Sequence, residues 1–368
     1  MKEEIINRLL VAKHGPFLSI LVPLHKTGRE RMQNQAIINR AISKAKSVLK
    51  RSATSVELMT KLLDQLDAPF KPNKPPQSVG LFVSPEISEF VCFPFRVTEK
   101  ILVDDSFETR DLHYLKQYLA PYYTVLLTTH SARLFISQGA QFDEIRDGIF
   151  PMHHEDEYEY ARPSFTTSVG FVRTSSDRDK SSVTKLRIEA FYREVISSIQ
   201  SCLRNKEFPL VVAGTREQIS MFASLNDIGD SISARVYGVF TDKNLEDAGE
   251  KAWLSLGHFR KEQEKKLIHD FEEKNTHKRL ATGIQEVWAA ANESRGKLLL
   301  VEKDYTCRSY LKDGDPVLYL RSPKGKYMLV PDVVDEVIET VIERGGHVTF
   351  TDNKSLRLFD RIVLELRY

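Results

Sequence analysis

Short apolar runs alternate along this chain with longer stretches of helical period. Residues 17–24 (FLSILVPL) are nearly all apolar and predict a buried strand. A short amphipathic helix over residues 4–12 precedes it, with Ile5, Ile6, Leu9 and Leu10 at helical spacing and Gly15-Pro16 ending it. After a polar loop, residues 33–51 predict a strong helix with Ile38, Ala41, Ile42, Ala45, Val48 and Leu49 on one face. A second helix is expected over 56–66. Residues 78–84 and 87–95 then read as a hairpin around Pro85-Glu86, with Pro94 confining its second strand to an edge. A short strand around Ile101 and Val103 and a helix over 112–119 follow.

Residues 122–145 (YYTVLLTTHSARLFISQGAQFDEI) predict a three-stranded meander, broken at Thr129–Ser131 and again at Ser137–Gly139. Residues 152–182 are polar without period, and a stretch of that length in a compact chain is functional or disordered. A helix over 183–203 should bury Leu186, Ala190, Phe191, Val195, Ile199 and Cys202. Next come a strand over 210–213, a helix over 218–225, a strand over 234–240, a helix over 245–259 and a charged helix over 261–274. The remainder predicts a helix over 276–292, a strand over 298–301 and two strand-like runs flanking Asp313-Gly314-Asp315. A helix over 332–344 capped by Gly345-Gly346 and strands over 348–350 and 362–366 close the chain.

Helix and strand in repeated succession predict an α/β (α+β) protein with helices on mixed sheets and no internal repeat. Its 368 residues suit two or three domains, and the breaks place them at 1–120, 121–262 and 263–368. A hydrophobic fraction of 41% with 28% charged residues is that of a globular protein, and no run approaches a membrane span. The first residues are too polar for a signal peptide. The three cysteines, Cys92, Cys202 and Cys307, lack metal or redox spacing, so a reducing, cytoplasmic setting is expected.

The net charge of +2 is unevenly spread. The first third has an excess of about five positive charges, the middle about three negative, and the last is near neutral. Arg40, Lys44 and Arg51 form a stripe on the helix over 33–51, and Lys26, Arg29 and Arg31 precede it in the loop. Two readings stand: a solvated helix face, or a rigid row of cations that neutralises a phosphate backbone without reading bases.

Candidate chemistry is sparse. His153-His154-Glu155-Asp156-Glu157 holds ligand types, but adjacent residues seldom converge on one ion, and a solvated loop explains them better. Gly214 follows an apolar strand but lacks both a dinucleotide fingerprint and a Walker lysine, so it reads as a strand-to-helix turn. There is no nucleophile elbow and no H-E-x-x-H. Asp143, Glu144 and Asp147 are the carboxylates available to a two-metal nuclease, close together on one short segment.

In their order and spacing, these segments resemble the archaeo-eukaryotic class-one peptide-chain release factor superfamily, specifically its bacterial relatives. GPFLSILVPLHKTGRERMQNQAIINRAISKAKSVL looks like the opening strand and long helix of that family. SVGLFVSPEISEFVCFPF is similar to the hairpin that follows, and YTVLLTTHSARLFISQGAQFDEI and LVVAGTREQISMF to parts of its middle domain. ATGIQEVWAAANESRGKLLLVEKDY and VVDEVIETVIERGGHVTF resemble its third domain. The resemblance implies an RNase-H-like middle domain and a last domain that is an α/β sandwich of ribosomal-protein type.

The departures are equally definite. The loop matching the family's Gly-Gly-Gln reads SVGFVRTSSDRDKSS over residues 168–182, and AIINRAISK stands where Asn-Ile-Lys-Ser would be. FVCFPF resembles a Cys-containing codon-reading motif only superficially, since a hydrophobic edge strand explains it as well. The resemblance therefore implies a non-enzymatic, ribosome-binding mimic of A-site tRNA, acting in rescue, hibernation or stress as the Pelota-like branch does, without a cofactor. Ribosomal RNA would meet the N-terminal cations and Arg173, Arg178, Lys180, Lys185 and Arg187, for which a mobile loop and a solvated helix start are the alternative account. A translational GTPase would dock on the C-terminal domain. An unorthodox peptidyl-tRNA hydrolase or a metal-dependent nuclease, and a binding module with a non-ribosomal partner, are the competing readings.

Overall fold

The apolar run beginning at Phe17 forms a strand that is buried along all but its last residue. The computed structural model describes residues 2–12, 14–25, 33–49, 76–154, 176–203, 208–225, 228–275, 279–312 and 316–367. The helix expected over 56–66 lies outside them. The chain divides into two compact units, Met1–Tyr118 with Leu267–Tyr368, and Leu119–Lys266.

The N-terminal segment begins with α1 (Lys2–Leu10), followed by β1 (Phe17–Pro23) and α2 (Asn34–Leu49). Strands β2 (Ser78–Val83), β3 (Ser88–Phe93) and β4 (Lys100–Asp104) complete an antiparallel sheet of order β3-β2-β1-β4, and α3 (Arg110–Tyr118) follows. Ile38, Ala41, Ile42 and Ala45 of α2 pack on Leu18, Ile20 and Val22 of β1, the helical stripe meeting one face of the strand. Gly80 in β2 is required by close packing. A Cβ there would lie 2.6 Å from the Phe82 ring and 2.9 Å from the Phe93 ring.

In the second unit, β5 (Tyr122–Leu127), β6 (Ser131–Gln138) and β7 (Gln141–Glu144) form the antiparallel meander, and β8 (Met152–His153) pairs with β6. After α4 (Ser176–Leu203), strand β9 (Leu210–Gly214) runs parallel beside β5. Helix α5 (Arg216–Ala223) leads to β10 (Ile232–Tyr237), which runs parallel beside β9. The spatial order is β10-β9-β5-β6-β7. Alternation divides the strands between two cores. Tyr123, Val125, Leu127, Leu210 and Val212 face Phe191, Tyr192, Val195, Ile196 and Ile199 of α4. Tyr122, Leu126, Val211 and Ala213 face Ala248, Ala252 and Leu256 of α6 (Leu245–Asn275). The unit is thus a mixed sheet between helical layers.

The stretches expected as two helices, 245–259 and 261–274, form the single helix α6. Its last turns belong to the first unit, where Phe271 packs on Leu300, Val363 and Phe359. There β11 (Leu280–Thr282), α7 (Gly283–Asn292) and β12 (Gly296–Glu302) come next, then a small sheet of β13 (Ser309–Lys312), β14 (Leu318–Tyr319) and β15 (Tyr327–Val330). Helix α8 (Val333–Glu343) and strands β16 (His347–Thr351) and β17 (Ile362–Leu366) finish the fold. The larger sheet has the order β11-β17-β12-β16, and the smaller β14-β13-β15.

Three expectations are corrected. The helix expected over 276–292 begins only at Gly283, because Leu280–Thr282 pairs with β17 and Gly283 turns the chain at φ +69°. Residues 176–182, read as the end of a loop, are helical and belong to α4. Leu186 and Ala190, assigned to the buried face of that helix, are exposed, Leu186 by 62%. With 28 residues α4 is roughly 42 Å long, about twice the length of six-residue β5, and among its described side chains those packed on the sheet begin at Ile188.

A buried charge cluster joins the two segments of the first unit. Arg110, with 4% of its side chain exposed, donates to Asp332 at 2.7 Å and to the Tyr305 carbonyl. Asp332 also caps α8 through Val334 N–H and accepts from Cys307 N–H at 3.1 Å. Lys100 donates to Glu108 at 2.8 Å, while Glu339 accepts from the Thr109 hydroxyl at 3.0 Å. Carboxylates outnumber cations here. Burial, with Glu108 facing it, pushes Asp335 well above the ordinary carboxylate range. Burial together with Glu336, Glu343 and Glu108 pushes Glu339 up to about 7, against the bond from Thr109.

Two predictions follow from this packing. Gly80→Ala should lower stability by about 1–3 kcal/mol in urea unfolding, the cost of overpacking a filled core. A carboxylate with a raised pKa holds a proton on folding that the unfolded chain releases, so its contribution weakens as pH rises. His113, lowered to about 4 by burial and Lys116, acts in the opposite direction below its ordinary value of 6.5. The melting temperature of the first unit should therefore fall between about pH 6.5 and 8, and Glu339→Gln should flatten that slope. A melting temperature that rises across this range would contradict the assignment.

Candidate nucleic-acid interface

A contact surface for phosphates needs cations on a rigid support with few acids close by. Helix α2 supplies the support. Its apolar stripe is fixed on β1, so Arg40 and Lys44 are carried on its exposed side. Asn34 secures its start: its Oδ1 accepts from His25 N–H and its Nδ2 donates to the His25 carbonyl, both at 2.9 Å. The end of β1 and the start of α2 are thereby tied at one point. Lys26, Arg29 and Arg31 lie in sequence between those tied ends and, like Arg51 and Arg173, fall outside the described residues.

The two described cations of α2 differ. Lys44 forms an ion pair with Glu99 at 2.9 Å, both side chains half exposed. Arg40 is exposed. An exposed pair of this kind contributes about 0–1 kcal/mol, so Glu99 dilutes the charge of Lys44 more than it stabilises the fold.

The second group of cations lies on the part of α4 that runs past the sheet. Lys185 and Arg187 are exposed beside Val183, 48% exposed, and Leu186. Arg178 and Lys180 belong to the same helix by position. The structure therefore places these four on one helix, where sequence reasoning set them on a loop and a helix start, and the exposed Val183 and Leu186 give the segment an apolar component that reasoning did not anticipate. Arg40 and Lys44 belong to the first unit and the α4 cations to the second.

Two other basic residues of the second unit are engaged by acids. Arg133 donates to Glu144 at 2.6 Å and to Asp242 at 2.7 Å, and its hydrogen bond to Glu144 is the main cause that holds its pKa above the usual value. Arg146 also pairs with Glu144 at 2.6 Å. Asp147 accepts from Ile149 and Phe150 N–H, which lowers its pKa. Of the three acids considered for a nuclease, Glu144 is thus neutralised by arginines and Asp147 closes a turn. Among the described residues no group of three or more His, Cys, Asp or Glu side chains is arranged to hold a metal ion.

The turn after β9 is likewise occupied. Thr215 and Gln218 form a reciprocal capping box, with Thr215 N–H bonded to Gln218 Oε1 at 2.8 Å. Gly214 fits because a Cβ would stand 3.1 Å from the Leu127 carbonyl oxygen. Beside this turn Arg216 stacks over Tyr237 at 5.1 Å, and Tyr237 is 49% exposed at the end of β10. Sequence reasoning missed this pair. Its signal is the alternation of Ala234 and Val236 inward with Arg235 and Tyr237 outward.

Residues 121–295, a little under half of the chain, match the family described as bacterial archaeo-eukaryotic release factor family 3. Over this segment the chain is similar to that family. No curated protein matches it in sequence. Among solved structures, the archaeal translation termination factor aRF1 is 14% identical, with 100% of this chain and 98% of that one covered and a TM-score of 0.26. Pelota of Archaeoglobus fulgidus is 13% identical, covering 100% and 92%, with a TM-score of 0.40. Dom34 of S. cerevisiae, a translation termination-like factor, is 11% identical, covering 82% and 77%, with a TM-score of 0.40. The release-factor-like segment contains the meander, α4 and the turn at Gly214, and the family's Gly-Gly-Gln is absent from it, since the one Gly-Gly of the chain is Gly345-Gly346.

The overhang of α4 is open to test by stability. Leu186→Ala should change the unfolding free energy by less than about 0.5 kcal/mol, as at an exposed position. Ile196→Ala, in the packed half of the same helix, should cost about 2–5 kcal/mol. Equal losses at the two sites would mean that the first turns of α4 are packed.

Proposed function

We propose that the protein is a release-factor-like ribosome-binding factor that occupies the tRNA site without hydrolysing peptidyl-tRNA. One observation carries this reading: residues 121–295 match the release-factor family, yet residues 168–182 read SVGFVRTSSDRDKSS where Gly-Gly-Gln would stand. A factor of this kind serves as an occupant, and its work is binding. Ribosome rescue or hibernation under stress in the cytoplasm is the setting we favour, with a translational GTPase docking on the C-terminal segment.

The fold supports the finer features of this reading. A meander followed by two parallel strands, in the order β7-β6-β5-β9-β10, with helices on both faces, suits an RNase-H-like middle domain. A mixed four-stranded sheet with α7 and α8 on one face suits the ribosomal-protein type of α/β sandwich. The cations of α2 lie on a helix braced by apolar packing and so contact phosphates without first being ordered, while those of α4 extend from the packed half of their helix.

Co-sedimentation with ribosomes tests the proposal. The full chain should bind at low salt and dissociate at high salt, because contacts to phosphates release counterions. A variant with Arg40→Glu, Lys185→Glu and Arg187→Glu should bind at least tenfold more weakly at the same salt, and peptidyl-tRNA should stay intact in both reactions. Absence of the unaltered chain from the ribosome fraction at low salt would remove the proposal.

A further inference from the structure

The small sheet β14-β13-β15 is held against the C-terminal core by one face and leaves the other open. Leu311, Leu318 and Val330 belong to the core side, Leu318 and Val330 being buried. Gln285 of α7 donates to the Leu318 carbonyl at 2.9 Å and Trp288 to the Pro316 carbonyl at 3.3 Å, which fixes β14 to that helix. Strand alternation then turns Tyr310, Lys312, Tyr319, Tyr327 and Leu329 to the opposite side. Tyr310 pairs with Tyr319 across one neighbouring strand and with Leu329 across the other, and Lys312 pairs with Tyr327. Tyr310 and Tyr327 pack edge to face at 5.2 Å. Tyr327 is 46% exposed and Leu329 40%.

The chain around this sheet is strongly basic. Arg308, Lys312, Arg321, Lys324 and Lys326 are all exposed. Residues 308–330 carry these five cations against two acids, Asp313 and Asp315, a net charge of +3 in a chain whose total is +2. No ion pair is found for any of the five among the described residues. Three aromatic rings on a braced antiparallel sheet, with Lys312 among them and exposed cations on the adjoining segments, have the chemistry of a surface for stacking unpaired bases and meeting phosphates. A protein partner for such a face would have to be acidic, whereas a single strand supplies both the phosphates for the cations and the bases for the rings.

We propose that this face binds single-stranded RNA, with Tyr310, Tyr319 and Tyr327 as the stacking surface and Arg308, Lys312, Arg321, Lys324 and Lys326 as phosphate contacts. The site is separate from the α2 and α4 cations and does not depend on the ribosome-binding reading. Binding is sequence-tolerant, because every base has a face to stack.

Fluorescence anisotropy of the full chain with a labelled 12-nucleotide oligouridine or oligoadenosine tests it, beside a duplex RNA of equal length. Single strands should bind at 50 mM salt, more tightly than the duplex, and weaken at 300 mM. Tyr327→Leu should weaken single-strand binding about tenfold and Tyr327→Phe should leave it unchanged, with both variants melting as the unaltered chain does. The variant with Arg40→Glu, Lys185→Glu and Arg187→Glu should keep the dependence on Tyr327, so loss of ribosome binding and loss of this site are told apart. Absence of single-strand binding at 50 mM salt would overturn the proposal. Equal affinity of the Tyr327→Leu and Tyr327→Phe variants would also overturn it, whether RNA is held by charge alone or the face takes an apolar protein segment.

Discussion

Burying an arginine obliges the chain to surround it with acceptors, and Arg110 sets that obligation for the first unit. Its guanidinium comes from the first turn of α3, while its acceptors, Asp332 and the Tyr305 carbonyl, come from more than 190 residues further along. Asp332 simultaneously starts α8 and holds the Cys307 backbone, so one carboxylate fixes a helix, a loop and a long-range ion pair. Removing one partner of such a pair leaves a buried charge and costs about 3–5 kcal/mol. The N- and C-terminal segments therefore form one unit although the chain between them builds another. The excess of acids around this pair leaves part of the cluster protonated.

The second unit obeys a constraint of length. Its strands run four to eight residues along the main path, while α4 has 28 and α6 has 31. Helices so much longer than the sheet cannot bury an apolar face throughout. The surplus of α4 carries the exposed cations and the two exposed aliphatic residues, and the surplus of α6 carries the chain into the other unit. The exposed cationic surface of the unit is thus a by-product of this mismatch.

Much of this was legible in the residues. The strand from Phe17, the hairpin around Pro85-Glu86 and the meander from Tyr122 to Ile145 announce themselves through unbroken or alternating apolar runs, which two-sided or one-sided burial requires. The helix start at Gly283 was not legible, because whether 280–282 continues the helix or pairs with β17 depends on a strand more than 80 residues away. Leu186 misled for a related reason. Helical period identifies a face, but only the extent of the sheet says how far along that face there is something to pack against. Of the candidate cations, sequence alone gave their types and spacing. That Glu99 neutralises Lys44 is a contact across 55 residues, and the tyrosine face of the small sheet required knowing that β13 pairs with both of its neighbours.

The clasp between Asn34 and His25 has a consequence for how the protein tolerates change. Two reciprocal hydrogen bonds close the base of the segment that joins β1 to α2 and tie the end of the strand to the start of the helix. The entropy of closing a loop grows only slowly with its length, each doubling adding about 0.6 kcal/mol. This connection can therefore accept an inserted epitope or a dye-labelling peptide while the sheet and helix around it stay in register. It offers a handle for following the protein on its partners that leaves both cationic helices untouched.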